Sequence, residues 1–186
     1  SPDEYYKGTV SKFKIHNKVM TDDEVAETFS ETFNKIFKAD IEKNLLGDKN
    51  EAMDKVLYNL PLPTNYEGAA ITWTSNKPEV ITTDGTVNNQ AANTDVELTA
   101  TVVSGKLTGT AKFNFTVLPA DRSSLAEPVE NAKKAKEDPF RSDKSKAELE
   151  SLIAKAATVN QSGIEKLIAD INRAIEKADY SPLYMN

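Results

Sequence analysis

Hydrophobic positions follow two different periods along the chain. Between residues 21 and 47, apolar residues recur at three- and four-residue steps, the spacing of one face of an α-helix. Between residues 71 and 118, apolar residues mostly alternate with polar ones, which is typical of strands with one buried face. The helical spacing returns from residue 121 to residue 180. This order predicts an α+β protein of more than one domain: a long helix, a β domain and a group of helices.

The first helix is predicted to begin after Thr21. Thr21 and Glu24 have the spacing of a capping box, in which each side chain bonds an otherwise unpaired amide at a helix start. We expect the helix to run to Leu46, with Gly47 in the left-handed cap position. Its apolar stripe consists of Val25, Phe29, Phe33, Ile36, Phe37, Ile41 and Leu45.

A strand is predicted before this helix, in residues 7–20. Phe13 and Ile15 there alternate with Lys12, Lys14 and His16. His16 is the only histidine of the chain, and no second metal ligand sits beside it. We therefore interpret it as an ordinary strand residue in solvent.

The β segment is predicted to hold roughly seven short strands. Pro61 and Pro63 restrict residues 53–63 to an edge strand or an extended lead-in, because proline cannot donate to a sheet. Trp73 is expected in the core, and Asp84 with Gly85 predicts a tight turn. Two later strands form a hairpin whose apolar face consists of Val96, Leu98, Ala100, Val102, Ala111, Phe113, Phe115 and Val117.

Three amphipathic helices are predicted after residue 120, and we expect them to form an antiparallel bundle. Pro128 is tolerable only near the first turn of the first helix. Ser145 and Glu148 offer a capping box for the second helix, and Ser162 is expected to open the third.

Composition excludes several classes of function. The 186 residues carry a net charge of −6, and the 23 basic residues are dispersed, so a phosphate-binding face is not expected and nucleic acid is not a predicted partner. No apolar run approaches the roughly 20 residues that span a bilayer, so no membrane contact is predicted. The chain has no cysteine, which excludes disulfides and thiolate chemistry.

Candidate site residues are few. Aromatic rings can stack on sugar rings, and Tyr66 in a loop, with Tyr5 and Tyr6 near the start, are the candidates for such contacts. The carboxylates of residues 127–150 lie on lysine-rich faces, where solvated charge is the default. The acidic residues 22–24 fit a helix start better than a calcium site. We predict no catalytic residue, no metal and no cofactor.

The run from Leu45 to Leu118 resembles the atrophied bacterial immunoglobulin-like domain. The resemblance rests on ordered matches: Leu60-Pro61, Ile71-Thr72-Trp73, Ser75, Pro78, Val80-Ile81, Asp84-Gly85-Thr86-Val87, Leu98-Thr99-Ala100-Thr101 and Phe115-Thr116-Val117-Leu118. It implies a small β-sandwich of the kind found between other modules of secreted proteins.

Two weaker resemblances flank this run. Residues 121–180 resemble the FIVAR three-helix module through Leu125, Val129, Ala132, Phe140, Ser142, Ser145, Leu149, Ile153, Ala156, Ile168, Ala174 and Ile175. Residues 8–20 resemble the last strand of a laminin-G or concanavalin-like domain. Together the three resemblances imply the accessory region of a secreted multimodular glycoside hydrolase of Gram-positive bacteria, similar to family 43 arabinofuranosidases and xylosidases.

The sequence thus predicts an immunoglobulin-like β-sandwich preceded by a long helix and followed by a three-helix bundle. We divide the chain into a terminal strand (1–20), a connecting helix (21–47), the sandwich (48–119), the bundle (120–180) and a tail (181–186). The predicted function is a non-catalytic spacer, secreted or on the bacterial surface, monomeric, with the parent's catalytic domain as partner in the same chain. The alternative is an adhesin-like module that binds polysaccharide or a host protein.

Overall fold

The computed structural model describes residues 19, 21–104 and 107–179. The predicted strand of residues 7–20 and the tail of residues 181–186 lie outside the described residues, apart from Val19. The elements in chain order are α1 (Asp22–Glu42), β1 (Asn65–Tyr66), β2 (Ala69–Ser75), β3 (Thr94–Ser104), β4 (Leu107–Val117), α2 (Ala126–Lys136), α3 (Asp143–Lys155) and α4 (Ile164–Glu176), and 3₁₀ turns at Ser123–Leu125 and Gln161–Gly163 precede α2 and α4. The protein is therefore α+β, as predicted. Among the described helices, none has the length and hydrophobicity that a membrane span requires.

Helix α1 begins with the predicted capping box. The Glu24 amide donates to Thr21 Oγ1 over 3.2 Å, and the Thr21 amide donates to Glu24 Oε2 over 3.0 Å. The prediction that the helix reaches Leu46 is wrong, because it ends at Glu42 and residues 43–49 form turns. These turns bring Leu45, which is fully buried, into the core. Gly47 does take the left-handed conformation, with φ +61°.

The four strands form one antiparallel sheet in the order β1-β2-β3-β4. The long β3–β4 hairpin pairs Val96 with Phe115 and Leu98 with Phe113, and all four side chains are buried on one face. Trp73 of β2 lies on the same face and is 6% exposed, which confirms its predicted place in the core. Its indole Nε1 donates to the Pro63 carbonyl over 2.8 Å, so the buried polar atom is satisfied.

The described residues contain four strands instead of the roughly seven that we predicted. Residues 51–63 and 76–93 are mostly turns and extended segments, with only single bridges from Val56 to Val117 and from Ile81 to Val87. The prolines in these segments cannot donate to a ladder. Side-chain amides take the place of strand partners: buried Asn50 accepts from the amides of Leu57 and Tyr58. The predicted tight turn at Gly85 is present, with φ +85°.

Helix α1 packs on β4 and shares the core of the sheet. Phe37 and Ile41 belong to the same apolar cluster as the strand residues. Asn34 Oδ1 accepts from the Thr110 amide over 2.8 Å and so covers part of the edge of β4. A division of domains between residues 47 and 48 stays a prediction, although the second half of α1 is packed against the sheet.

The last three helices enclose a second apolar cluster, which consists of Leu125, Ala132, Leu149, Ile164, Leu167, Ile171 and Ala174. Pro128 lies in the first turn of α2, as the sequence required. The prediction that Ser145 caps α3 is wrong: the cap is Ser142, whose Oγ accepts from the Ser145 amide. The prediction for Ser162 is also wrong, because a 3₁₀ turn precedes α4 and no side chain caps it.

Ser145 is not available as a cap because it is buried beside Arg141. The Arg141 guanidinium is 6% exposed and donates from Nη1 to Ser145 Oγ over 3.0 Å. It also donates to the carbonyls of Ala174 and Ile175 over 3.1 and 2.9 Å. These carbonyls lie at the negative end of α4, so the cation stabilises the end of the helix.

Candidate functional site

The two apolar clusters meet at a joint made of neutral polar side chains. On the helical side it is formed by residues 159–163, between α3 and α4. Asn160 Nδ2 donates to Asn88 Oδ1 over 2.9 Å, and the Gln161 amide donates to Asn89 Oδ1 over 2.9 Å. We call the hydrogen-bonded set Asn59, Asn88, Asn89, Asn160, Gln161 and Ser162 the asparagine joint.

Asn89 binds three segments at once. Its Nδ2 donates to the carbonyls of Leu57 and Leu118 over 3.1 and 2.9 Å, while its Oδ1 accepts from Gln161. Leu57 belongs to the lead-in before the sheet, and Leu118 immediately follows β4. Asn89 therefore holds together the segment that leads into the sheet, the segment that leaves it and the helical loop.

A second contact lies beside it. The Asn59 amide donates to Ser162 Oγ over 3.1 Å, and Ser162 Oγ donates to Asn59 Oδ1 over 3.2 Å. Gln161 Nε2 lies 3.4 Å from the hydroxyl of Tyr58. Ser162, which was predicted to open α4, thus joins the two clusters instead.

The segment that connects β4 to the 3₁₀ turn before α2, residues 118–122, is hydrogen-bonded to the helical loop of residues 159–163. The Asp121 amide donates to Gln161 Oε1 over 2.8 Å, and Arg122 Nε donates to the Val159 carbonyl over 2.8 Å. The Ser123 amide bonds the Asp121 carboxylate, which lowers the pKa of that carboxyl below its usual value. The connecting segment is therefore bonded to the β side through Asn89 and to the helical side through Gln161 and Val159.

The joint has the chemistry of a structural contact. Its hydrogen bonds come from amides and hydroxyls that do not titrate near neutral pH. The ion pair that crosses it, Lys49 to Glu165 at 3.9 Å, is between exposed side chains and contributes little. Within the described residues, no group of three or more potential metal ligands could hold an ion.

A cleft of about 490 Å³ opens beside the joint. It lies between the turn after α1 and residues 58–61, and Ser162 closes it from the helical side. Its aromatic residue is Tyr58, which is half-buried, with Lys49 Nζ 5.4 Å from the ring centroid. Sequence reasoning missed Tyr58, because it stands among Val56, Leu57 and Leu60 and looks like a core residue of the lead-in.

Tyr66 lies elsewhere, on the short edge strand β1. Its ring meets Phe37 and Phe33 edge-on, with centroids 5.0 and 6.2 Å apart, and its hydroxyl donates to Asp40 Oδ2 over 3.1 Å. Burial and the Asp40 carboxylate raise the pKa of Tyr66 to about 12. Tyr66 thus packs β1 against α1, and its role as a sugar contact stays a prediction. Tyr5 and Tyr6 lie outside the described residues.

A second groove, of about 660 Å³, runs along the outer side of the β3–β4 hairpin. Two of its three acidic residues have partners: Asp95 accepts from Thr116 Oγ1 over 2.7 Å, and Glu97 pairs with Lys112 over 2.8 Å, while the third is Asp54. The aromatic residue of its lining, Phe115, is 1% exposed and therefore offers no platform to a ligand. The groove therefore offers less to a ligand than the cleft at Tyr58.

Comparison with known proteins adds a family match for part of the chain. Residues 38–120 match the family model of the atrophied bacterial Ig domain. This range begins inside α1, in agreement with the packing of that helix on the sheet. No curated protein sequence matches the chain.

Among solved structures, the N-terminal domain of the alpha C protein of group B Streptococcus is similar at 14% identity, with a TM-score of 0.30. The match covers 62% of this chain and 70% of that one. A point variant of that domain matches with a TM-score of 0.31, the same identity and the same coverage. At these values a shared function does not follow from the likeness.

Proposed function

We propose that this chain is a non-catalytic spacer, secreted or displayed on a bacterial surface, that holds other modules of a longer protein at a fixed separation. Residues 38–120 would be a sandwich-type immunoglobulin-like domain, which the family match supports. Residues 121–180 would be a FIVAR-like three-helix bundle, which the pairwise packing of α2, α3 and α4 supports.

The asparagine joint is the observation that carries this proposal. A flexible tether would need no side-chain bonds between its domains, and relative domain motion is the default when an interface is small. Here Asn160 bonds Asn88, the Gln161 amide bonds Asn89, and two further bonds connect Asn59 with Ser162. Such bonds fix the relative orientation of the two halves as well as their contact. A hydrogen bond weakens steeply when the angle between donor, hydrogen and acceptor falls below about 120°.

Nitrogen-15 relaxation of the full chain tests the proposal. A rigid spacer gives the amides of β3 and of α4 the same rotational correlation time. Two distinct correlation times would show that the halves tumble separately, and the spacer function would then fail. An analytical ultracentrifugation run on the same sample tests the proposed monomer.

We further propose that the parent protein is a glycoside hydrolase acting on plant-type polysaccharide and that its catalytic domain is the partner of this region in the same chain. The support is the order of the resembling modules. The coding sequence around this segment tests it: a glycoside hydrolase domain in the same reading frame is expected, and an unrelated catalytic class or none would overturn it.

A second candidate is a module that binds polysaccharide or a host protein. The cleft of about 490 Å³ beside Tyr58 favours it, since ligand sites are concave and combine apolar surface with a few directed polar groups. A glycan array and a panel of host matrix proteins, each probed with the full chain, test this candidate, and it fails if neither set retains the protein.

A further inference from the structure

The cleft beside Tyr58 combines an apolar floor with polar side chains whose hydrogen-bond donors and acceptors are not all paired within the fold. Leu60, which is 3% exposed, lies at its base next to the half-buried ring of Tyr58. Gly47 at the rim leaves room where a side chain would otherwise fill the opening. The shape therefore provides a platform for one flat, partly apolar face of a small ligand.

Three polar groups surround this platform. Asn59 Oδ1 accepts from the Val87 amide and from Ser162 Oγ, whereas Asn59 Nδ2 has no partner among the described residues. The Asp48 carboxylate also has no hydrogen-bond partner there. The cleft thus offers one amide donor and one strong acceptor, neither of which the fold uses.

Lys49 adds a cation that is only loosely held. Its ion pair with Glu165 is 3.9 Å long, and the two side chains are 63% and 87% exposed. Such a pair contributes little and can exchange its partner. Its Nζ lies 5.4 Å from the centroid of the Tyr58 ring, so Lys49 has to leave that face of the ring and can then donate to the ligand that takes its place.

These groups favour a neutral saccharide over other ligand classes. The Asp48 and Glu165 carboxylates outnumber the Lys49 ammonium, so the charge around the cleft is net negative and disfavours an anionic ligand. An entirely apolar ligand would leave the Asn59 amide and the Asp48 carboxylate without partners, which is costly on desolvation. Adjacent sugar hydroxyls can each donate to a carboxylate and accept from an amide or ammonium, while the C–H face of the sugar ring lies on the tyrosine.

We propose that the cleft formed by Asp48, Lys49, Tyr58, Asn59, Leu60 and Ser162 is a binding site for a neutral saccharide. This inference goes beyond the spacer function, and it rests on the second candidate function in its carbohydrate form. Ser162 comes from the helical side and the other five residues from the β side. An occupant therefore contacts both halves across the asparagine joint.

The test is a proton–nitrogen chemical-shift titration of the full chain with cellobiose, xylobiose and lactose as probes. The expected result is saturable shifts, in the millimolar range, confined to the amides of residues 47–49, 58–60 and 162. No saturable shift with any of the three probes, or shifts confined to the groove at Asp54 or to the edge strand at Tyr66, would overturn the proposal.

Variants identify the groups. Asp48→Ala removes the free acceptor from an exposed turn and should weaken binding about tenfold or more, since a hydrogen bond to a charged group contributes about 1.5–3 kcal/mol. Asp54→Ala, the same change in the other groove, is the matched control and should leave affinity unchanged. Equal affinity for Asp48→Ala and Asp54→Ala would contradict the assignment.

Tyr58→Phe and Tyr58→Leu then separate the ring from the hydroxyl. Tyr58→Phe keeps the aromatic platform and should bind the sugar within about twofold of the unaltered chain. Tyr58→Leu should bind at least about fivefold more weakly than the unaltered chain, because stacking on an aromatic face contributes about 1 kcal/mol. Equal binding by the two variants would overturn the role of the ring. Relaxation measured on the free protein reports the spacer function separately, so failure of sugar binding leaves that result unaffected.

Discussion

Asn89→Ala is the substitution that most directly disturbs the joint. It removes two donations to backbone carbonyls and one acceptance from Gln161. A net hydrogen bond contributes about 0.5–1.5 kcal/mol, so three give about 1.5–4.5 kcal/mol. Because Asn89 is only half-buried, water can reach part of the vacated space, and we expect a loss of about 2 kcal/mol.

Urea unfolding followed by circular dichroism measures this loss as a lower midpoint at unchanged slope. The matched control is Asn93→Ala, an identical change in an exposed asparagine of the same loop, for which we expect less than about 0.5 kcal/mol. The reasoning is refuted if the two variants lose equal stability, or if Asn89→Ala loses less than about 0.5 kcal/mol. Relaxation of the Asn89→Ala variant should also show a larger difference between the correlation times of α4 and β3 than in the unaltered chain.

Three further predictions concern other parts of the fold. Gly109→Ala would place a methyl group 2.3 Å from Phe33 Cε1, so thermal unfolding should show a loss of about 1–3 kcal/mol. Tyr66, whose pKa is raised to about 12, should not ionise with ordinary tyrosines near pH 10; stability should fall as pH rises from about 10 towards 12, and ultraviolet titration should show Tyr66 ionising earlier in Asp40→Asn. Arg141→Lys replaces the fork, whose two terminal nitrogens bond the Ala174 and Ile175 carbonyls, by a single ammonium nitrogen, and should lower the free energy of urea unfolding by about 1–3 kcal/mol.

Each of these predictions has a result that contradicts it. An unchanged melting temperature in Gly109→Ala would mean that α1 does not approach β4 as closely as described. A single tyrosine titration step in both proteins would remove the Asp40 bond from the account. Wild-type stability in Arg141→Lys would show that the guanidinium fork does not stabilise the end of α4.

Local patterns predicted local structure well. The capping box at Thr21 appears as expected, and the alternation in β3 and β4 placed every second residue on the buried face. Trp73 was assigned correctly because a large aromatic residue at an inward strand position is most favourable in the core. Each of these features depends on residues within a few positions of one another or on the period of two.

Predictions failed where distant residues determine the outcome. Ser145 and Ser162 both matched a capping pattern, but one is buried by Arg141 and the other bonds Asn59 across the joint. The bonds of the asparagine joint connect residues that are far apart in sequence: the separation is 72 positions for Asn88 and Asn160 and 103 positions for Asn59 and Ser162. No local pattern marks such pairs. Tyr58 was overlooked as a site residue because only the folded chain places it beside Lys49.

The central claim is that the two halves hold one fixed orientation. The chain has no cysteine, so Lys35→Cys on α1 and Ala147→Cys on α3, both exposed, would carry the only two spin labels. Pulsed electron paramagnetic resonance then gives the distribution of distances between the labels. The account predicts one narrow distribution that broadens in the Asn89→Ala background. A broad distribution in the otherwise unchanged protein would contradict a fixed joint and, with it, the spacer function.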